Sequence, residues 1–166
     1  VDFILRKAGP ADADACGRVH YESWVETYTG MANDAFWERA SAERSIENWR
    51  QWLDDGRDNG LDATIAEVDG VVVGLAFARA SRENYGFAPV RDLELYTLYV
   101  LRAYHGTGIG QALLDAVVPP GTPAQLWAAE HNPRSRAFYE RNGFRTDGAT
   151  DSGESFGGIA AVRMVR

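Results

Sequence analysis

Residues 92–114, DLELYTLYVLRAYHGTGIGQALL, decide how the rest of the chain is read. The first ten alternate and are rich in Tyr and Leu, which predicts a strand over 92–101 with Glu94, Tyr96, Leu98 and Val100 on one face. From Ile109 onward the apolar residues Ile109, Ala112, Leu113, Ala116 and Val117 recur at helical spacing, a stripe that predicts a helix to about Val118. Between strand and helix stand His105 and three glycines, Gly106, Gly108 and Gly110. Glycines there cost backbone entropy, so their freedom must serve something. A helix N-terminus presents N–H groups without intrahelical partners and the positive end of the macrodipole. A glycine loop lets successive N–H groups turn inward, and strand, loop and helix together make a pyrophosphate site.

Spacing disfavours the competing glycine motifs. A dinucleotide fingerprint needs glycine where Gln111 stands, and it opens a βαβ unit, whereas a hairpin precedes this loop. A P-loop needs Gly-Lys-Ser/Thr, which does not follow. A plain strand-to-helix turn needs one or two glycines rather than three.

Working outward, DFILRK (2–7) reads as a first strand. Pro10 and Asp12 are start signals for a helix to about Tyr28, with His20, Trp24 and Tyr28 on one face. After a polar joint, Ser41 caps a second helix whose stripe is Ile46, Trp49, Gln51 and Leu53. Asp69-Gly70 between two β-rich runs predicts a tight hairpin. Downstream, AQLWAAE (124–130) is a strand. NPRSRAFYERNG (132–143) is a helix with Asn132 as cap, Pro133 in the first turn and Gly143 past the end. FRTDG and GIAAVRMVR complete the chain as strands, so the order predicts an α+β fold with a mostly antiparallel sheet.

Composition sets bounds on function. The chain has 166 residues, 45% hydrophobic and 25% charged, as expected of a single globular domain over 1–166. No apolar run approaches the roughly 20 residues of a membrane span. The start, VDFILRKAGP, turns basic after five apolar residues, so no secretory signal is expected. A lone cysteine, Cys16, permits no intrachain disulfide and no thiolate metal cluster, in keeping with a cytoplasmic location. A net charge of −7 argues against broad nucleic-acid binding.

Two segments together carry a resemblance. LYTLYVLRAYHGTGIGQALL resembles the acetyl-coenzyme A motif of the GCN5-related N-acetyltransferases (GNAT family), (Arg/Gln)-x-x-Gly-x-(Gly/Ala), with His105, Gly108 and Gly110 at those positions. NPRSRAFYERNGF resembles the family's second motif, in the same order. The departure is His105, where the family has Arg or Gln. The resemblance implies the GNAT fold, with a mixed, mostly antiparallel sheet of six to seven strands, about four helices, and a splay between the strands at 92–101 and 124–129.

It also implies transfer of an acetyl group from acetyl-CoA to a primary amine of a small molecule or peptide, with a homodimer as a common assembly. An acyl-CoA-binding module without turnover is the alternative. The cofactor would lie along Leu98, Tyr99 and Val100, with its pyrophosphate on His105, Gly106, Thr107, Gly108, Ile109 and Gly110, and Asn132 and Tyr139 beside it. By the same resemblance Tyr139 would be the acid for the leaving thiolate and Glu94 the base for the amine, with Asp92, His131 and water as rivals for the base. Tyr21, Trp24, Tyr28 and Glu94 would wall the acceptor site. Acceptor specificity would lie in the loops at 29–40, 81–91 and 148–157.

Overall fold

The computed structural model describes residues 1–59 and 62–166, and their side chains outside 55–59. In chain order the elements are β1 (Ile4–Lys7), α1 (Ala13–Tyr28), α2 (Asp34–Arg39), α3 (Ala42–Asn59), β2 (Asp62–Val68), β3 (Val71–Ala80), β4 (Leu93–Val100), α4 (Ile109–Val117), β5 (Gln125–Ala129), α5 (Pro133–Arg141), β6 (Arg145–Asp151) and β7 (Ala161–Val165). The strands form one sheet in the order β1-β2-β3-β4-β5-β7-β6. Every neighbouring pair is antiparallel except β4 and β5, which run parallel. The α+β expectation holds. The short α2, capped by the Asn33 side chain accepting from the Phe36 N–H, replaces part of the expected polar joint.

Helices cover both faces of the sheet. On one face, Cys16 and Val19 of α1 and Trp49 and Leu53 of α3 pack on Ile65, Leu75 and Phe77. Ile46 is also buried, but Gln51 is exposed and bonds Glu47, which removes it from the expected stripe. The two helices touch at Gly17, where a Cβ would stand 2.4 Å from the Ile46 Cα, so any side chain there would force them apart. On the other face, Ile109 and Leu113 of α4 pack on Ala66, Val73 and Ala76, and Leu114, Tyr139 and Phe144 pack with Leu95, Leu126 and Met164.

His20 is buried in the α1–α3 contact, where its Nδ1 accepts from the Trp49 Nε1–H at 3.0 Å. Burial pushes the imidazole down to about 4, from 6.5. Between those values the unfolded chain binds a proton that the native state refuses, so stability rises with pH through this window. About 2 kcal/mol is therefore lost between about pH 7 and about pH 5 through this one group. Urea unfolding at the two pH values measures it. A His20→Gln variant, which keeps an acceptor for Trp49, flattens that part of the dependence.

The centre of the sheet is where it departs from regularity. Phe77 pairs with Thr97, yet the next residue, Ala78, pairs with Leu95, so Tyr96 is an extra residue in β4. Such a bulge bends its strand and shifts the alternation by one. Leu93, Leu95 and Leu98 consequently share the α4–α5 side, with Val100 following Leu98 against α4, while Tyr99 and Leu101 lie against α1 and α3. The expected single face of Glu94, Tyr96, Leu98 and Val100 is therefore corrected: Glu94 lies on the opposite side from Leu98 and Val100. The β4–β5 ladder holds only Glu94 to Gln125 and Leu95 to Leu126, after which the strands part.

Candidate active site

The parting of β4 and β5 opens a cleft of about 430 Å³. Leu98, Tyr99 and Val100 line one wall, Trp127, Ala128 and Ala129 the other, and the glycine loop and α5 close its ends. The structure brings Leu98, Tyr99, Val100, His105, Gly106, Gly108, Gly110, Asn132, Tyr139 and Tyr28 together there.

At the loop, Gly106 has φ +81° and Gly108 has φ +91°, conformations that side-chain-bearing residues rarely adopt. A Cβ at either would meet nothing within 4 Å, so it is the backbone conformation, not crowding, that calls for glycine there. Gly108 is the N-cap of α4, and the first helical bond runs from the Ala112 N–H to its carbonyl. Among the described residues, no backbone N–H from Gly106 to Gln111 has an acceptor within the protein. Free backbone donors at a helix N-terminus are the chemistry that suits an anion.

Two expected loop contacts belong to the backbone alone. The Thr107 Oγ1 donates to the Tyr104 carbonyl at 2.7 Å, bracing the turn, and Ile109 is wholly buried in the core. Neither side chain lines the cleft. His105 Nδ1 accepts from the Arg134 guanidinium, which leaves Nε2 as the protonated nitrogen, donating to the Val100 carbonyl at 2.8 Å. Arg134 and Arg141 also line the cleft, while no carboxylate does so among the described residues. Arg134 was missed in the sequence, although it stands two residues after the Asn132 cap, in the first turn of α5.

Asn132 divides its amide between two tasks. Its Oδ1 accepts from the Ser135 N–H at 3.1 Å, capping α5, and its Nδ2 has no partner among the described residues. Cap and cleft donor are thus compatible in one side chain. Tyr139, buried on α5 with its ring against Phe138 and Phe144, has a hydroxyl without a protein hydrogen bond among the described residues. Burial first, and then the Tyr28 phenol, hold its pKa well above the ordinary value, so it keeps its proton through neutral and mildly basic pH.

A hydrogen-bonded row reaches the cleft from α1. Trp24 Nε1 donates to Tyr99 Oη at 3.0 Å, and Tyr99 Oη lies 3.3 Å from Tyr28 Oη. The Tyr99 hydroxyl is enclosed, and burial drives its pKa well up. Either phenol can donate in the Tyr99–Tyr28 bond, and the row brings both hydroxyls to the α1 side of the cleft. Tyr21 and Trp24, expected to wall the acceptor site, line a separate groove of about 480 Å³ between α1, α2 and α3. The helical face was read correctly, but the helix presents only its last turn, Thr27 and Tyr28, to the cleft.

Glu94 is placed below the closed end of the cleft and does not line it. It is 3% exposed, and its Oε1 accepts from Gln125 Nε2 at 2.8 Å. Gln125 is itself fixed, because its Oε1 accepts from the N–H groups of Val90 and Arg91 at 2.8 and 3.2 Å. The second Glu94 oxygen has no hydrogen bond among the described residues. Cys16, also buried, is pushed up to about 12 by burial and is chemically inert. No helix among the described residues is long and apolar enough to cross a membrane.

Comparison with known proteins agrees with this geometry. The chain is 28% identical to an uncharacterized N-acetyltransferase of Archaeoglobus fulgidus, over 90% of this chain and 97% of that one. It is 27% identical to a probable N-acetyltransferase of Mycobacterium tuberculosis, over 93% and 87%. The fold matches that of PaiA N-acetyltransferase from Thermoplasma acidophilum, solved in complex with coenzyme A, with a TM-score of 0.73 at 21% identity and 98% coverage of each chain. A ribosomal-protein-alanine N-acetyltransferase from Brucella melitensis gives a TM-score of 0.73 at 26% identity, again covering 98% of each. The family model described as Acetyltransferase (GNAT) family matches residues 21–144, so the chain belongs to the GNAT family and is an acetyl-CoA-dependent acyltransferase.

Proposed function

We propose that this protein transfers the acetyl group of acetyl-CoA directly to a primary amine, with the coenzyme in the β4–β5 cleft. The observation that carries this reading is the row of unpartnered N–H groups from Gly106 to Gln111. Those donors would hold the pyrophosphate, and Arg134 would add the permanent charge that His105, in the family's Arg/Gln position, does not supply. The free edge of β4 beyond Leu95 would pair with the pantetheine as an added strand does, with Asn132 Nδ2 donating from the other side. When bound, the coenzyme supplies an activated thioester carbonyl.

The chain's own groups then manage protons. An ammonium near pKa 10 must lose its proton before its nitrogen can attack. The unpartnered oxygen of Glu94 would take that proton through a water, since its carboxylate lies outside the cleft proper. A backbone N–H of Leu98 or Tyr99 would stabilise charge developing on the carbonyl oxygen. Tyr139 would deliver its proton to the departing sulfur as the carbon–sulfur bond breaks, and the nitrogen, cationic after attack, would release its extra proton to water as the amide forms, with solvent restoring the phenol.

The test is a thermal shift followed by turnover on a panel of primary amines with free-thiol detection. Acetyl-CoA at about 100 times its Kd stabilises the fold by roughly 2.7 kcal/mol, a rise in Tm of about 5–10 °C. No shift at saturating acetyl-CoA contradicts the assignment, and a shift without turnover on any amine points instead to a binding module. For Glu94→Gln, kcat/KM falls about 100-fold near neutral pH, and the deficit shrinks toward pH ~10 as free amine becomes abundant. An unchanged pH profile passes the base to water or another group.

A further inference from the structure

The loop between β3 and β4 holds a residue whose backbone does not suit its side chain. Among the described residues only two non-glycines have positive φ, Asp69 at +51° and Tyr85 at +52°. Each is followed by a glycine of positive φ, Gly70 at +77° and Gly86 at +78°. The two turns therefore ask for the same chemistry, which Asn, Asp or Gly provides and a bulky side chain does not. The hairpin at Asp69 obeys that rule. At Tyr85 the turn is closed by backbone bonds in both directions between Asn84 and Phe87, and a tyrosine is held in the strained position. Strain at a residue the turn does not need is a mark of function.

The ring packs against a residue of the cleft wall. Tyr85 meets Trp127 edge-on with ring centroids 4.9 Å apart, and Phe87 backs the same indole at 5.9 Å. Trp127 lines the cleft on β5, and Arg163 stands over it from β7. The Tyr85 hydroxyl has no hydrogen bond among the described residues, so it is not held there as a polar anchor. Burial raises its phenol, and the charges and phenols that bear on it are Asp151, Tyr96, Tyr28 and Glu94. Tyr85 thus reaches the cleft wall through Trp127.

We propose that Tyr85 and Trp127 form an apolar slot that grips the stem of the acceptor, so that the substrate class is a primary amine carried on an alkyl or aryl chain. The slot is continuous with the cleft through Trp127, and two aromatic rings bury such a stem with little loss of side-chain entropy. This rests on the acetyl-CoA reading of the cleft.

Two conjugates test it by calorimetry, in which the coenzyme A sulfur carries a carboxymethyl group amidated with hexylamine or with methylamine. The hexyl conjugate binds the wild type at least about tenfold more tightly than the methyl one. Tyr85→Phe keeps that ratio, and Tyr85→Asn reduces it to about twofold or less. Asn suits the turn, so relief of strain offsets the lost ring contact and the Tm of Tyr85→Asn stays within about 2 °C of the wild type. Equal binding of the two conjugates by the wild type overturns the slot. A ratio preserved in Tyr85→Asn, or a Tm loss of more than about 6 °C there, makes Tyr85 a packing residue and overturns its role. If neither conjugate binds, it is the coenzyme A reading that fails, and the slot with it.

Discussion

Replacing Gly108 by valine raises the Kd for acetyl-CoA by at least about 100-fold. The backbone there has φ +91°, which a β-branched residue cannot adopt without strain of roughly 1–2 kcal/mol or more. The chain can respond in two ways, and both damage the cradle. If φ is kept, the side chain adds bulk beside the free N–H groups, in space that no protein atom fills. If φ relaxes, the N–H groups around Gly108 no longer converge. The fold also weakens, with a Tm lowered by about 2–8 °C, so a control of equal strain is required. Gly121 provides it, with φ +79°, nothing within 4 Å of an added Cβ, and a position away from the cleft. Gly121→Val lowers the Tm comparably and leaves the Kd unchanged. Calorimetric titration of both variants separates loss of the cradle from loss of stability.

Replacing Tyr139 by phenylalanine lowers kcat about 100-fold while changing the Kd for acetyl-CoA less than about threefold. The hydroxyl makes no hydrogen bond to the protein among the described residues, so its removal breaks nothing in the resting fold. The ring contacts with Phe138 and Phe144 persist in the variant. In the proposed mechanism what is lost is the proton for the leaving sulfur, which water then supplies less effectively. The raised pKa adds a second expectation with a definite sign. In the proposed role the active form is the protonated phenol, which survives beyond the usual range near 10. The wild-type rate therefore shows no alkaline decline from Tyr139 below about pH 10. Steady-state kinetics across pH, beside acetyl-CoA titration, measures both. Equal kcat in the two proteins removes Tyr139 from the chemistry.

The parts of the site that depend on local backbone chemistry were legible in the sequence. Three glycines against the start of α4, the Asn132 cap with Pro133 after it, and the Asp69-Gly70 hairpin each state a conformational requirement in a few residues. The parts that depend on how elements meet were not. Alternation along 92–101 cannot reveal an extra residue, so the bulge at Tyr96 put Glu94 on the other side from Leu98 and Val100. The stripe of His20, Trp24 and Tyr28 gave the correct face of α1, but not how far along that helix the cleft extends. With only six residues, α2 is too short for a period to declare itself. Tyr85 was hidden for the opposite reason: turn rules lead the reader to Gly86 and away from the residue that breaks them.

The claim on which the account depends is that the N–H groups from Gly106 to Gln111 bind the pyrophosphate of coenzyme A. Amide nitrogen–proton NMR spectra recorded during titration with coenzyme A test it at the atoms concerned. The largest shifts are expected on the amides of Gly106 to Gln111, with a second set along β4 from Thr97 to Val100. Saturable binding that moves other amides and leaves those of Gly106 to Gln111 in place would contradict it.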